Sequence, residues 1–248
     1  MKNKFRTGIS ACFISFSMLL CGCDSTQIQE TDTSITSESS VTAVSIISGE
    51  LLLPEGGDNV SDYPVIINDT EIEKTPEKVI CLSSSLTEII YELGFGAKLN
   101  GRGSYCDFPE SVVSLRDFGK PSSPDLDAVR AAKPDLLVTA TSIPNKDIAA
   151  LSDEGIKVLY IASPRSVEEY GRIYCALGMV FEGMHEGEKT GNAIFGKIRD
   201  KLENADISLG KFIYITEGNA VAGGDTFESS VLSLYGDNIA KEAFGYNF

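Results

Sequence analysis

The 248-residue chain contains no tryptophan and a single histidine, His185. That scarcity removes the usual His-rich metal sites. Between Arg6 and Lys74 there is no lysine or arginine, and the whole chain has 21 basic against 36 acidic residues. A nucleic-acid backbone is held by clustered cations, so no nucleic-acid partner is expected. No apolar run reaches the roughly 20 residues that a membrane-crossing helix needs. Gly-x-Ser-x-Gly, His-Glu-x-x-His and a phosphate-cradling glycine loop are all missing, and Asp125 and Asp127 are two apart, which on a helix keeps them from facing one another. The chain is therefore expected to have no catalytic residues, no metal ligands and no cofactor.

The acidity that is present lies mainly in one stretch. Residues 24–73 hold eleven acids and no base, whereas the chain from Lys74 onward holds 18 bases and 25 acids. Ahead of the acidic stretch stand Lys2, Lys4 and Arg6, then the twelve largely apolar residues Ile9 to Leu20. A positive start and a short apolar run read as a secretory signal. Its end, Leu20-Cys21-Gly22-Cys23, resembles a bacterial lipoprotein box, with Gly22 before the cut and Cys23 as the lipid acceptor. Residues 1–22 are accordingly read as a signal peptide, and the mature chain is expected on the extracytoplasmic face of the cell membrane, attached through Cys23. Residues 23–62 are read as an acidic linker. Twelve of the 25 residues from Asp24 to Ser48 are Ser or Thr, and none is aromatic, so little apolar burial is available to offset the entropy of ordering.

The remaining cysteines, Cys81, Cys106 and Cys175, are an odd number at wide spacing, which is not a disulfide framework. Cys81 falls in an apolar strand and Cys175 in a helical pattern, where both serve as core residues.

From residue 63 the pattern alternates. Strands are predicted at Tyr63–Ile67, Val79–Leu82, Leu136–Ala140 and Lys157–Ile161. Helices are predicted at Leu86–Leu93, after Ser123-Pro124, and at Asn145–Asp153. Ser85 with Glu88 has capping-box spacing, and Ser123 before Pro124 looks like an N-cap. Alternation at this spacing predicts an α/β fold with a helix-covered parallel sheet over 63–165. Ligand loops in such sheets lie beyond the carboxyl ends of the strands, here Ser83–Ser85, Thr141–Pro144 and Ala162–Arg165. Residues 166–205 read as about forty mostly helical residues, long enough to run between lobes as an uninterrupted strut. Residues 206–248 then restart with a strand at Lys211–Thr216, a turn at Gly218–Gly224 and a helix at Thr226–Leu234, a partial second α/β lobe.

Four separated segments share one likeness: Lys78–Ile90 (KVICLSSSLTEII), Tyr105–Pro109, Asp125–Val138 (DLDAVRAAKPDLLV) and Gly155–Val158. Together they resemble the substrate-binding proteins of ABC importers for vitamin B12 and ferric siderophores, whose two Rossmann-like lobes are joined by one long helix. The resemblance implies capture of a corrinoid or ferric siderophore, a metal-complex small molecule, and its delivery to a permease that works with an ATPase. It places Ser83, Ser84, Ser85 and Thr87 on the first cleft loop, with Ser84 where proline is common. Tyr105 and Asp107-Phe108-Pro109 match a Tyr-x-Asp-Tyr-Pro stretch whose aromatics line the cleft mouth. Asp127 falls where a glutamate docks onto a permease arginine. The second docking acid has no direct counterpart; Ser233 stands nearest, with Glu228 upstream.

Read from their own chemistry, the serines donate hydrogen bonds or cap a helix, and Tyr105 stacks on a flat ligand or packs on the surface. Thr141 and Ser142 line the cleft or end a strand, Arg102 meets an anionic oxygen or water, and Gly223-Gly224-Asp225 forms a turn that could oppose the first lobe. A monomer is expected. The alternative is a non-transport surface module, either ligand-binding and sensory or structural, derived from the same fold.

Overall fold

The structure is a computed structural model and describes residues 62–247 together with the two-residue strand Ala43–Val44. The stretch read as a signal peptide, Cys23 and nearly all of the stretch read as linker lie outside the described residues. All of the described residues belong to one compact unit.

In chain order the strands are β1 (Ala43–Val44), β2 (Val65–Ile67), β3 (Thr70–Ile72), β4 (Val79–Cys81), β5 (Leu99–Arg102), β6 (Arg116–Asp117), β7 (Gly119–Lys120), β8 (Ser123–Pro124), β9 (Leu136–Thr139), β10 (Lys157–Tyr160), β11 (Gly210–Phe212), β12 (Val221–Ala222), β13 (Gly236–Asn238) and β14 (Tyr246–Asn247). The helices are α1 (Ser84–Glu92), α2 (Leu126–Ala132), α3 (Asn145–Asp153), α4 (Val167–Glu182), α5 (Met184–Glu203) and α6 (Phe227–Leu232).

The main sheet runs β10-β9-β4-β5-β6 and every pairing in it is parallel. Both faces of such a sheet are covered, so its central strands read as unbroken apolar runs. Val79, Ile80 and Cys81 are all buried, as are all four residues of β9. Strand alternation divides them between two cores. Val79, Cys81, Leu136 and Val138 turn toward Leu86, Ile89 and Ile90 of α1 and Ile173 and Leu177 of α4. Ile80, Leu82 and Leu137 turn the other way, toward Val129 of α2 and Leu151 of α3.

Two local starts differ from the sequence reading. Ser123-Pro124 forms β8 and pairs with β7, and α2 is capped by Asp125, whose carboxylate accepts from Ala128 N at 2.9 Å. The Asp125 carboxylate thereby satisfies an otherwise orphaned first-turn N–H. The N-cap of α1 is Ser83 and it makes no side-chain cap bond, so the Ser85–Glu88 capping box does not form.

The helical connection also differs from a single strut. α4 and α5 are separate helices that reverse at Gly183, whose φ of +84° is accessible to glycine at little cost. They then pack against each other with almost no space between backbones. A Cβ on Gly178 would lie 2.1 Å from the Gly187 carbonyl oxygen, and one on Gly191 would lie 2.5 Å from Cys175 Cα. Asp62 seals the reversal, its carbonyl accepting from Met184 N at 2.9 Å.

The β2–β3 hairpin turns through Asn68 and Asp69, both at positive φ, as tight hairpin turns require. It covers the β10 edge: Thr70 Oγ1 donates to Val158 O and Asn68 Nδ2 to Tyr160 O, each at 2.9 Å. Ala43 and Val44, inside the stretch read as linker, extend this hairpin by pairing in parallel with Ile66 and Ile67.

The C-terminal segment is built from small pieces. β11 pairs with β13 in parallel and β12 with β14 antiparallel, and α6 lies beside them.

Candidate functional site

The first strand exit leads into α1. Ser83 is buried, Ser84 half-buried and Ser85 exposed, and the Ser83 and Ser85 hydroxyls lie 3.2 Å apart. Thr87 is fully buried; its hydroxyl donates to Ser83 O at 2.8 Å and approaches Cys106 Sγ at 3.4 Å. Thr87 therefore sits behind the loop, fixing its backbone, while Ser84 and Ser85 face outward.

The second loop leaves β5 and comes very close to the first. A Cβ on Gly103 would stand 2.3 Å from Leu82 O. Tyr105 and Phe108 project from this loop at 58% and 65% exposure, which is unusual for rings that gain by burial. Arg102 points elsewhere. Its Nη1 donates to Gly103 O at 3.1 Å, it lies 3.7 Å from Asp117, and its buried Nε has no partner.

At the β9 exit Thr141 is half-buried and Ser142 exposed. Thr139 Oγ1 accepts from Thr141 N at 3.0 Å and donates to Thr141 O at 3.1 Å, holding the turn. The β10 exit, Ala162–Arg165, borders a cavity of about 340 Å³ lined also by Asn68, Glu169 and Ile173.

The C-terminal segment reaches this point through Asp225, whose Oδ2 lies 3.8 Å from Arg165 Nη1. Its other oxygen accepts from Gly245 N at 2.5 Å. Gly223 and Gly224 do not open onto the same space. A Cβ on either would meet the carbonyl of Ala243 or Lys241 at 2.1–2.2 Å, so these glycines allow close backbone packing.

Sequence reasoning overlooked an aromatic group on α4. The Tyr170 ring lies 5.4 Å from Phe227 of α6, 5.3 Å from Tyr174 and 6.1 Å from Phe195. The Tyr174 hydroxyl donates to Glu92 of α1. Burial pushes the Tyr170 phenol up, and Glu92 and Glu88 add to that. Glu88 is itself raised by burial, then by Glu92 and Asp107. Tyr170 thus links α4 to α5 and α6, and Tyr174 links α4 to α1. The spacing of four between Tyr170 and Tyr174 was the readable signal for a shared helix face.

The residues suggested for permease docking lie on separate elements. Asp127, in the first turn of α2, has its side chain 94% exposed and accepts from Arg130 at 2.9 Å. Glu228 of α6 accepts from the Tyr246 hydroxyl at 2.7 Å, and Ser233 is exposed at the helix end. Among the described residues no group of three or more His, Cys, Asp or Glu is placed to hold a metal ion. His185 pairs with Asp62 at 2.8 Å, away from the strand exits.

A second cavity of about 340 Å³ lies in the seam of α4, α5 and α6, bounded by Val167, Met179, Phe195 and Leu202 among others. None of the strand-exit loop residues lines it. That cavity also carries Glu168, Arg172, Asn192 and Arg199; the candidate site is placed at the exits because open parallel sheets bind ligands beyond the carboxyl ends of their strands.

Hydroxyls and two exposed rings at the carboxyl edge of a parallel sheet are the groups of a small-molecule binding site. Comparison with known proteins agrees with that class, and the chain belongs to the periplasmic binding protein family, whose model matches residues 79–242.

It is 25% identical over 254 residues to an uncharacterized ABC transporter substrate-binding lipoprotein, YvrC, of Bacillus subtilis, covering 98% of this chain and 75% of that one. It is 26% identical over 172 residues to the vitamin B12-binding protein of Yersinia pestis, covering 67% of this chain and 61% of that one. The chain thus spans about three quarters and three fifths of these two relatives. A possible iron-binding periplasmic solute-binding protein of Staphylococcus epidermidis superposes with a TM-score of 0.59 at 25% identity, over 70% of this chain and 71% of that one. The haem-binding protein HutB of Vibrio cholerae superposes with a TM-score of 0.58 over 68% of each chain; at 19% identity this speaks for the fold alone.

Proposed function

We propose that this chain is the substrate-binding lipoprotein of an ABC importer, anchored through Cys23 outside the membrane. It captures a bulky metal complex, a corrinoid or a ferric siderophore, and hands it to a permease driven by an ATPase. The observation that carries the reading is the meeting of Arg165, at the β10 exit, with Asp225 of the C-terminal segment at 3.8 Å. That contact brings the two parts of the chain together beside the strand-exit loops. Ser84, Ser85, Thr141 and Ser142 supply hydroxyls for a ligand's amides or oxygens, and Tyr105 and Phe108 supply flat apolar faces. The names of the Bacillus and Yersinia relatives support both the transport setting and the ligand class.

Calorimetric titration of the chain with cobalamin and with ferric hydroxamate and catecholate chelates tests this. One class is expected to bind saturably, with Tyr105→Ala weakening it about tenfold, the loss of roughly one good aromatic contact. Absence of saturable heat with every corrinoid and iron complex would reject the ligand class. Asp127→Arg is expected to leave binding intact while reducing uptake in cells, because it reverses the charge of a solvent-exposed side chain on α2 that is outside the strand-exit loops. Unimpaired uptake would remove Asp127 from the docking surface.

A further inference from the structure

Two thiols meet behind the loops that carry Ser83–Ser85 and Tyr105. Cys81 ends β4, Cys106 lies in the turn after β5, and both are free and fully buried. The turn folds back over the strand end: Gly103 N donates to Cys81 O and Cys106 N to Gly103 O, each at 3.0 Å. Cys106 Sγ comes within 3.8 Å of Cys81 O, while Cys81 Sγ lies 3.4 Å from Ser83 O. The Thr87 hydroxyl lies 3.4 Å from Cys106 Sγ and donates to Ser83 O at 2.8 Å, the same carbonyl that Cys81 Sγ approaches. Thr87 and Ser83 O thus join the surroundings of the two sulfurs.

We infer that Cys81 and Cys106 form a disulfide under oxidising conditions, and that its closure ties the turn bearing Tyr105 to the strand that delivers the serine loop. A disulfide needs Cα atoms roughly 4.4–6.8 Å apart, and the turn after β5 brings Cys106 Sγ to 3.8 Å from the Cys81 carbonyl oxygen. Cys81 stands opposite Arg102 in the β4–β5 register, and Cys106 returns to it through the turn. The oxidant is a low-molecular-weight disulfide, RSSR. One cysteine thiolate attacks it and releases RS⁻, forming a mixed disulfide. The second thiolate then displaces the other RS⁻, so two electrons and two protons leave as two RSH. Burial pushes the Cys81 thiol up to about 12, so attack waits on transient opening of the turn. Cys175 takes no part, being buried in α4 where α5 packs.

The test needs no ligand, so its outcome is separate from the transport reading. The full chain is equilibrated with oxidised glutathione, alkylated and digested with trypsin without reduction. Peptides 79–98 and 103–116 are expected to emerge joined, two hydrogens lighter than their sum, with peptide 173–189 alkylated. Amide exchange at Tyr105 and Cys106 is expected to slow at least tenfold in the oxidised chain. Cys175→Ser should keep the link and Cys106→Ser should abolish it. If Cys106→Ser fails to fold, the wild-type and Cys175→Ser digests still decide. Alkylation of both cysteines at every oxidant concentration, or linkage of either to Cys175 or to glutathione alone, would overturn the pairing. Unchanged exchange across the turn would overturn the clamp.

Discussion

In the N-terminal body, β4 and β9 bury every residue, and their side chains feed two cores on opposite faces of one sheet. In the C-terminal segment, the buried apolar residues after Phe195 are Ala220 and Ala222, while Ile207, Leu209, Ile213, Tyr214, Ile215, Leu234, Ile239 and Tyr246 are 36% exposed or more. The residue types are alike; the number of elements is not. Five paired strands with helices on both faces can enclose branched side chains, whereas two pairs of short strands and a six-residue helix leave one face of each pair open. Stability is therefore expected to be concentrated in the body, with the C-terminal segment opening at lower cost.

The strongest test of that contrast is a matched pair of truncations. Leu137→Ala removes a fully buried side chain from the second core and is expected to cost about 2–5 kcal/mol in urea unfolding. Ile213→Ala, at a site 47% exposed, is expected to stay within about 0.5 kcal/mol. Similar losses at the two positions would break the comparison.

The helical hairpin comes next in size, because it is neither sheet nor C-terminal segment. Gly178→Leu would force a side chain into a place where even a Cβ lies 2.1 Å from the Gly187 carbonyl. The two backbones must then part, at a cost of about 1–3 kcal/mol or more. A melting temperature within a degree of wild type would show that the seam yields freely.

Much of this arrangement was readable in advance, for a definite reason. Unbroken runs such as Leu136–Thr139 are needed only where both faces of a strand are covered, so they announce a parallel sheet. The reversal at Gly183 was less legible. Helical spacing continues on either side of it, and what turns the chain back is the close approach of Gly178, Gly187 and Gly191 in space. At the site, the loops at 83–85, 141–144 and 162–165 followed from strand ends, whereas Tyr105 and Phe108, which the structure leaves 58% and 65% exposed, were pointed to only by the family resemblance. The diversion of Arg102 to Asp117 and the role of Gly223 and Gly224 depend on partners far away in sequence, which no local pattern records.

Two helix caps sharpen the regional contrast at about 1 kcal/mol each. Asp125 caps α2 in the body, and Thr226 caps α6, accepting from Ser229 N at 3.3 Å. Asp125→Ala is expected to lower global stability. Thr226→Ala is expected chiefly to speed amide exchange across 226–247, with the unfolding midpoint nearly unmoved. A full kilocalorie lost globally from Thr226→Ala would mean that the two regions unfold as one.

The smallest effect concerns pH, and it too belongs to the body. Asp117 accepts from Gly119 N at 2.8 Å and from the Ser104 hydroxyl at 2.9 Å, with Arg102 nearby. The Gly119 bond first, then the Ser104 bond and the Arg102 charge, hold its carboxyl below the ordinary Asp value. A depressed carboxyl takes up its proton more readily in the unfolded chain. Its contribution is therefore fully present above the ordinary Asp range and is lost as pH falls through the folded value. Glu88, raised by burial and by Glu92 and Asp107, has the opposite sign: the folded chain favours its protonated form, so stability falls as pH rises through its titration. Asp117→Asn should lower stability slightly near neutrality and flatten the acid limb of a urea-midpoint profile, while Glu88→Gln should raise stability slightly near neutrality and leave the strongly acid end unchanged. Because Asp117 is exposed enough for solvent to screen it, the first change should shrink further in salt. Profiles that moved in the same direction for both variants would contradict the assignment of opposite signs to these two carboxylates.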